Sequence, residues 1–340
     1  MNKKNFQIII TLFFLILLFL FPNASFEGAK KGLLLWFQIV LPTLLPFLIF
    51  SNLIFHLNIT YTFSVFLYPI LSKIMPISKD GCYPIAIGLL SGYPMGAKAC
   101  SDMTSSNKIT VSEGQFLLTF CNNASPMFLL NYVLLQSLHI QKNLPIFMGI
   151  FISSNLLCAY IYLFFHKSDF HIYKSKNKSL YSNSKHDSFH TIKENTKKEA
   201  TPATFSNETS LSKPTYFEIL DLSIMNGFEI ITKIGGYIIL FSLLSNLLIT
   251  LLPINDFLKT ILIGILEITT GIQYIESSSL SYTTKLLLAM TLSSFGGLSS
   301  MAQTGSVLLN SPLKLFIYVK YKCLNALICC LLTFIYLHSL

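Results

Sequence analysis

The 340-residue chain is 52% hydrophobic and only 11% charged, with a mean hydropathy of +0.60. Soluble domains carry about a quarter charged residues, so this composition excludes an ordinary soluble domain. The formal net charge is +9, but basic charge in a membrane protein mostly reports loop orientation, and nucleic-acid binding is not indicated. We predict an all-α polytopic protein that lies in the lipid bilayer, with about 8–10 membrane segments.

The N-terminal third contains apolar runs that are long enough to cross a hydrocarbon core, which takes roughly 20 helical residues. Residues 1–29 are predicted to form a retained anchor helix with a cytoplasmic N-terminus, although a signal peptide has a similar pattern. A long helix over residues 33–57 follows, and Pro42 and Pro46 are expected to kink it. A shorter segment covers about residues 61–75.

The next apolar run, residues 83–97, is short for a membrane crossing and is interrupted by glycine and proline. Glycine is flexible, and proline lacks a backbone donor. Inside a bilayer, broken backbone is tolerated only where it is buried in protein or lines a cavity. We therefore predict a broken or re-entrant helix at a functional site. Its candidate substrate-binding residues are Ser91, Gly92, Tyr93, Pro94 and Gly96.

Three further interruptions bring polar residues into apolar sequence, at residues 122–126, 267–271 and 293–303. Neutral amides and hydroxyls can replace the hydration of a solute without burying full charges. The candidate substrate-binding residues in these segments are Asn122, Asn123, Ser125, Thr269, Thr270, Gly271, Ser294, Gly296, Gly297, Ser299 and Gln303. Gly296 and Gly297 would alternatively serve only as close-packing positions between helices.

The two sides of the chain resemble each other in the order and spacing of these features. The Ser-Asn-Leu at residues 51–53 recurs at residues 245–247, and two interrupted segments follow it in each case. Two related halves with interrupted helices at corresponding places are typical of secondary transporters. We predict a first half at residues 30–165 and a second half at residues 216–340.

A polar loop, residues 166–215, separates the predicted halves. It lacks apolar periodicity and is rich in lysine, so we expect it to be disordered and cytoplasmic. Its four histidines fit a solvated linker better than a metal site. Residues 216–233 are predicted to lie in the membrane interface as an amphipathic helix, before a span over residues 234–252. The final helix is expected from about residue 312, with three lysines in its first part.

Lys98 and Glu267 are the charged candidates. A half-helix N-terminus presents free N–H groups that suit an anion, and Lys98 would add a countercharge or, alternatively, would extend to the interface. Glu267 lies in apolar sequence, where a carboxylate is costly without a partner. It would bind a coupling cation or carry a proton, or alternatively make a structural hydrogen bond with a neighbouring helix.

The sequence contains no catalytic constellation. The apolar runs hold no histidine beside a nucleophile, no phosphate-binding loop and no paired carboxylates. The seven cysteines lie mostly in or beside apolar runs and none forms Cys-x-x-Cys, so neither disulfides nor a metal site are expected. We predict that the protein is not an enzyme and needs no cofactor.

Four segments resemble a known family. They are residues 46–52, 91–98, 122–128 and 266–271. They are similar to the sporulation integral membrane proteins of the YlbJ type, which carry the nucleoside-recognition or Gate domain also found in nucleoside transporters. The Ser-Gly-Tyr-Pro-Met-Gly-Ala-Lys at residues 91–98 is the most specific part. The resemblance covers most of residues 30–165 and 216–338, without the polar loop.

The resemblance implies a sporulation protein of the mother cell, in the outer forespore membrane, that moves dipicolinate toward the developing spore. Dipicolinate is a planar pyridine dicarboxylate, and this small organic anion agrees with helix N-termini and Lys98 as anion partners. A coupling ion, H⁺ or Na⁺, is a further expected partner. The alternatives are transport of nucleosides or another small solute, and a non-transporting membrane scaffold needed for spore formation.

Overall fold

The computed structural model describes residues 3–57, 59–166 and 215–339, and these residues form helices and connecting turns without β-strands. Four helices are long and apolar enough to cross a membrane, and shorter apolar helices accompany them. The predicted all-α polytopic membrane class is therefore confirmed. The predicted polar loop, apart from its first and last residues, lies outside the described residues.

The helices are numbered in chain order, and the helix that begins at Pro22 contains a π-helical segment. They are α1 (Lys3–Leu20), α2 (Pro22–His56), α3 (Thr60–Ile74), α4 (Cys82–Ser91), α5 (Met95–Ser105), α6 (Val111–Cys121), α7 (Phe128–Ser137, π-helical), α8 (Leu144–Phe165), α9 (Tyr216–Leu251), α10 (Asp256–Leu266), α11 (Ile268–Ser277), α12 (Tyr282–Phe295), α13 (Gly297–Val307) and α14 (Leu315–His338). The four membrane-length helices are α2, α8, α9 and α14.

Helix α2 begins at Pro22, earlier than predicted, so the domain boundary expected at residue 30 falls within it. Proline suits the first position of a helix, because its missing N–H would have no partner there. The helix continues through Pro42 and Pro46. Its irregularity is the π-helical segment Trp36–Val40, which lies directly before these prolines. Such segments are frequent at functional sites, and Val40 indeed lines the central cavity described below.

Helix α9 is continuous over 36 residues, so the separate interfacial helix predicted for residues 216–233 is wrong. Thr215 and Glu218 form a capping box at its start, where the Thr215 N–H donates to Glu218 Oε2 over 2.7 Å. A helix of this length spans about 54 Å, more than the ~30 Å hydrocarbon core. The polar residues in the first half of α9 therefore belong to the part of this membrane helix that extends beyond the hydrocarbon core.

Helices α2 and α9 pack along each other in opposite directions. A Cβ placed on Gly32 would lie 2.8 Å from Ile239 Cα, and one placed on Gly235 would lie 2.6 Å from Trp36 Cε2. The Trp36 indole N–H donates to the Ile231 carbonyl oxygen over 2.9 Å. Small residues thus allow the two longest helices to approach closely, as is common between membrane helices.

Two asparagines connect the ends of this helix pair in a reciprocal way. Asn52, late in α2, donates to the Ser223 carbonyl oxygen early in α9 over 3.5 Å. Asn246, late in α9, donates to the Ala24 carbonyl oxygen early in α2 over 2.7 Å. These asparagines belong to the two Ser-Asn-Leu segments of the predicted repeat. The relation of the two halves stays a prediction, and this contact pattern is compatible with an inverted arrangement.

We expect Gly235→Val to destabilise the protein by about 1–3 kcal/mol, because the added side chain would overlap the Trp36 ring. The matched control is Gly236→Val, since a Cβ on Gly236 meets no atom within 4 Å. Trp36 is the single tryptophan, so its fluorescence in detergent reports thermal unfolding without a label. Equal melting temperatures for the two variants would contradict this packing.

Candidate functional site

Segments from both predicted halves line a central cavity that is partly open to its surroundings. Its space between atoms is about 510 Å³ when the open mouth is included, and about 50 Å³ of this admits the centre of a water molecule. Its apolar wall and its polar groups come from α2, α9 and all four interruptions. The apolar residues are Val40, Leu44, Ala124, Phe128, Ile234, Ile238 and Ile268, and the others are Thr43, Ser91, Tyr93, Ser125, Glu267, Thr269, Gly296, Ser299, Ser300 and Gln303. Apolar walls with a few polar groups are typical of solute sites.

Glycines allow the first two interruptions to meet backbone against backbone. A Cβ on Gly88 would overlap the Cys121 carbonyl oxygen, and one on Gly96 would lie 2.6 Å from the same atom. A Cβ on Gly92 would lie 2.8 Å from Ser125 N. The glycines of this segment therefore provide close packing, and Gly92 and Gly96 do not line the cavity.

The other two interruptions also meet through glycines. Gly297 has a φ of +80°, and a Cβ there would lie 3.3 Å from the Leu266 carbonyl oxygen and 3.2 Å from Ile268 N. A Cβ on Gly271 would lie 2.5 Å from Gly264 Cα. Gly271 and Gly297 are thus close-packing positions. For Gly297, close packing is one of the two roles that the sequence allowed.

Side chains cap three of the four half-helices that begin at the interruptions. The Ala97 N–H of α5 donates to Asn122 Oδ1 over 3.1 Å, and the Phe128 N–H of α7 donates to Ser125 Oγ over 3.2 Å. Glu267 caps α11. Helix α13 has no side-chain cap among the described residues, so its first N–H groups remain available as donors.

Glu267 is buried, with 2% of its surface exposed, and both carboxylate oxygens accept hydrogen bonds from its own helix. Oε1 accepts from the Thr269 N–H over 3.0 Å, and Oε2 accepts from the Thr270 N–H over 2.6 Å. The carboxylate of Glu267 thus occupies the positive, N-terminal end of α11. A substrate anion therefore cannot bind directly at that helix end. Glu267 also lines the cavity and forms none of the ion pairs between described residues.

Two buried polar atoms at the cavity lack a hydrogen-bond partner among the described residues. They are the Ser91 hydroxyl oxygen and Gln303 Oε1. The Gln303 amide nitrogen donates to Ser299 Oγ over 3.2 Å, which leaves its oxygen as an acceptor. An unpaired buried polar atom costs about 1–3 kcal/mol, and such atoms in native proteins are typically explained by a water, an ion or a ligand.

The structure brings eight of the predicted residues to the cavity. They are Ser91, Tyr93, Ser125, Glu267, Thr269, Gly296, Ser299 and Gln303. Eight others lie behind its surface or in the packing between the interruptions. They are Gly92, Gly96, Asn122, Asn123, Thr270, Gly271, Ser294 and Gly297. Thr270 is an example, since its hydroxyl is 2.7 Å from the hydroxyl oxygen of Ser242 on α9.

Lys98 and Pro94 line a second cavity, which has Ile234 and Gln303 in common with the central one. The Lys98 ammonium donates to Asp102 Oδ2 over 2.7 Å, and the lysine side chain is 31% exposed. The interruption places Lys98 one helical turn into α5, where this carboxylate is its nearest partner. A direct countercharge role of Lys98 in the central cavity therefore does not fit the structure.

Sequence reasoning missed Tyr318 and Lys322, which lie one turn apart on α14 and are fully buried. The Tyr318 hydroxyl donates to the Asn122 carbonyl oxygen over 3.1 Å, and the Lys322 ammonium donates to Asn123 Oδ1 over 2.6 Å. Asn122 and Asn123 therefore hold the interruption in place and do not line the cavity. The i, i+4 spacing of Tyr318 and Lys322 was the signal available, since it places them on one helix face.

These features define the class of the protein. It is an all-α integral membrane protein in which four interruptions and two long antiparallel helices line a central cavity with apolar and polar groups. Among the described residues, no group of three or more histidine, cysteine, aspartate or glutamate side chains could hold a metal ion.

The chain is similar to the sporulation integral membrane protein YlbJ of Bacillus subtilis (strain 168), with 27% identity over 323 residues. The match covers 86% of this chain and 72% of that protein. This similarity supports a YlbJ-type assignment and, with it, an integral membrane protein of sporulation. No family model matches the chain, and no solved structure matches it. The Gate domain stays a prediction.

Proposed function

We propose that the protein transports a small organic anion, dipicolinate, across the outer forespore membrane. The observation that carries this proposal is the central cavity between four interrupted segments, with two buried polar atoms that have no partner in the described chain. Discontinuous helices near the membrane midplane form the solute sites of many secondary transporters. The antiparallel α2 and α9 also fit the inverted repeats of that class.

The first turn of α13 is the anion-binding part of the proposed site. Its N–H groups lack a side-chain cap among the described residues, and Gly296, Ser299 and Ser300 line the cavity beside them. A free helix N-terminus attracts a carboxylate through its N–H groups and its dipole. Phe128 and Ile238 also line the cavity, and their apolar side chains suit the faces of a planar ring.

Glu267 is the coupling residue in this proposal. An ionised carboxylate repels a dianion in the same low-dielectric cavity. A proton on Glu267, or a Na⁺ between Glu267 and Gln303 Oε1, removes this repulsion. Because Gln303 Oε1 is an acceptor and dipicolinate carries only acceptors, a co-bound cation would also satisfy that oxygen. Anion transport is therefore expected to require an H⁺ or Na⁺ gradient.

Uptake of radiolabelled dipicolinate into proteoliposomes tests the proposal. We expect uptake under an inward H⁺ or Na⁺ gradient, competition by unlabelled dipicolinate, and weaker competition by uridine. Uptake of uridine with no uptake of dipicolinate would support the nucleoside alternative. If correctly inserted protein moved neither solute under either gradient, while deletion of the protein still blocked spore formation, the scaffold alternative would replace transport.

We expect Gln303→Leu to weaken dipicolinate binding about 5- to 20-fold, because it removes the oxygen that would hold the co-bound cation and the amide that donates to Ser299. Leucine favours helices and has a similar size, so α13 is expected to remain folded. Gln273→Leu is the matched control, since Gln273 is exposed on α11. Equilibrium binding to the purified proteins gives both affinities, and equal losses in the two variants would exclude Gln303 from the site.

A further inference from the structure

Lys322 is the buried cation of the described chain. Three charged side chains are buried there, and the other two, Glu113 and Glu267, are acidic. Lys322 has no exposed surface, although it lies well inside the membrane-length helix α14. A lysine in such a position is costly, so by default it indicates a functional role.

The ammonium of Lys322 lies directly behind the wall of the central cavity. It donates to Asn123 Oδ1 over 2.6 Å, and the Asn123 carbonyl oxygen accepts from the Tyr93 N–H over 2.8 Å. Tyr93 lines the cavity, and so do Ala124 and Ser125, which follow Asn123 in the chain. One neutral residue therefore separates the buried charge from the solute space.

No carboxylate forms an ion pair with Lys322 in the described part of the chain. The ion pairs found there are Lys98–Asp102, Lys233–Glu229 and the contact between His139 and Glu276. A neutral donor of similar length would make the same hydrogen bond to Asn123 at a smaller desolvation cost. The presence of a lysine here is thus not explained by the contact with Asn123 alone.

We propose that Lys322 supplies the positive charge that balances the bound organic anion, as a positioning residue that acts through Asn123. This inference rests on the proposed anion transport and gives Lys322 the countercharge role that the sequence suggested for Lys98. Across one residue of low-dielectric protein, the field of a buried charge is screened only weakly. The site therefore favours dicarboxylates over monocarboxylates of the same ring.

Lys322→Met and Asn123→Asp test the charge in two different ways. The first removes the charge together with the hydrogen bond, whereas the second keeps the contact and places a carboxylate on the ammonium. We expect both to weaken dipicolinate binding by at least about 30-fold and picolinate binding, with one carboxylate, by about 5-fold. Lys320→Met, an exposed lysine on the same helix, is the control and is expected to leave both affinities unchanged.

Isothermal titration of the purified full-length proteins measures the affinities, and thermal melts show whether each variant is folded. If folded Asn123→Asp bound dipicolinate like the wild type, Lys322 would only hold the interruption in place and the inference would be overturned. An equal loss for dipicolinate and picolinate would overturn it as well. If the wild type bound neither anion, the proposed function itself would fail, and the inference with it.

Discussion

Substitution of Glu267 by glutamine is expected to reduce dipicolinate uptake by at least about 100-fold, which corresponds to roughly 2.7 kcal/mol. Glutamine has the same length, and its oxygen can still accept one N–H of α11. It cannot carry a proton or balance a cation at neutral pH. The variant would bind the anion without taking up H⁺ or Na⁺ at this position, so the ion gradient would no longer drive uptake. Initial uptake rates in proteoliposomes under imposed H⁺ or Na⁺ gradients measure the effect.

The same substitution also weakens the cap of α11. The carboxylate accepts from the Thr269 and Thr270 N–H groups, and the amide nitrogen of glutamine accepts from neither. Loss of such a cap costs about 0.5–2 kcal/mol, so a moderate decrease in melting temperature accompanies the loss of uptake. Full uptake by Glu267→Gln under both gradients would show that Glu267 serves only as a helix cap.

Glu276→Gln separates coupling from a general effect of charge. Glu276 lies near the end of the same helix and is 44% exposed, and its carboxylate has, among the described residues, only a 4.0 Å contact with His139. Exposed pairs contribute little to stability, and this carboxylate is not part of the cavity wall. We therefore expect unchanged uptake for this variant. A loss equal to that of Glu267→Gln would point to the overall charge of α11.

The positions of the interruptions could be predicted from the sequence because their causes are local. Glycine, proline and clusters of small polar residues disrupt a helix where they stand, and Gly92 and Glu267 lie at observed helix ends. Polar residues within two turns of an interruption, such as Ser91 before the first and Gln303 after the fourth, also reach the cavity. Local chemistry therefore identified the breaks, and eight of the eighteen candidate site residues line the cavity.

The remaining features depend on contacts between distant parts of the chain. Lys322 is fully buried because α14 packs against the interruption at Asn123, 199 positions away in the sequence. Asn122 and Asn123 turn away from the cavity for the same reason. Lys98 has a carboxylate one turn away, and its exposure depends on the neighbouring helices. Residue type and spacing do not determine which side of a polar segment faces the cavity.

Gly92→Ala is expected to lower the melting temperature by about 4 °C, which corresponds to roughly 3 kcal/mol for a chain of 340 residues with an unfolding entropy of about 2.1 cal/mol/K per residue. Gly92 has φ 74° and ψ −160°, a backbone region essentially restricted to glycine. The added methyl group would also lie 2.8 Å from Ser125 N. The costs of the backbone strain and of the steric overlap add to each other. The first two interruptions must separate before the alanine side chain fits. Thermal melts in detergent measure the change.

Gly149→Ala is the matched control, because a Cβ on Gly149 in α8 meets no atom within 4 Å. Alanine is also the better helix former there, so this variant should be as stable as the wild type or slightly more stable. The pair distinguishes the two roles considered for Gly92. A folded, stable Gly92→Ala protein that no longer bound dipicolinate would make Gly92 a substrate contact, as its position in the sequence first suggested. We expect Gly92→Ala to lose stability and binding together, because Gly92 lies between the first two interruptions. Ser91 and Ser125 reach the cavity only while these two segments remain in contact.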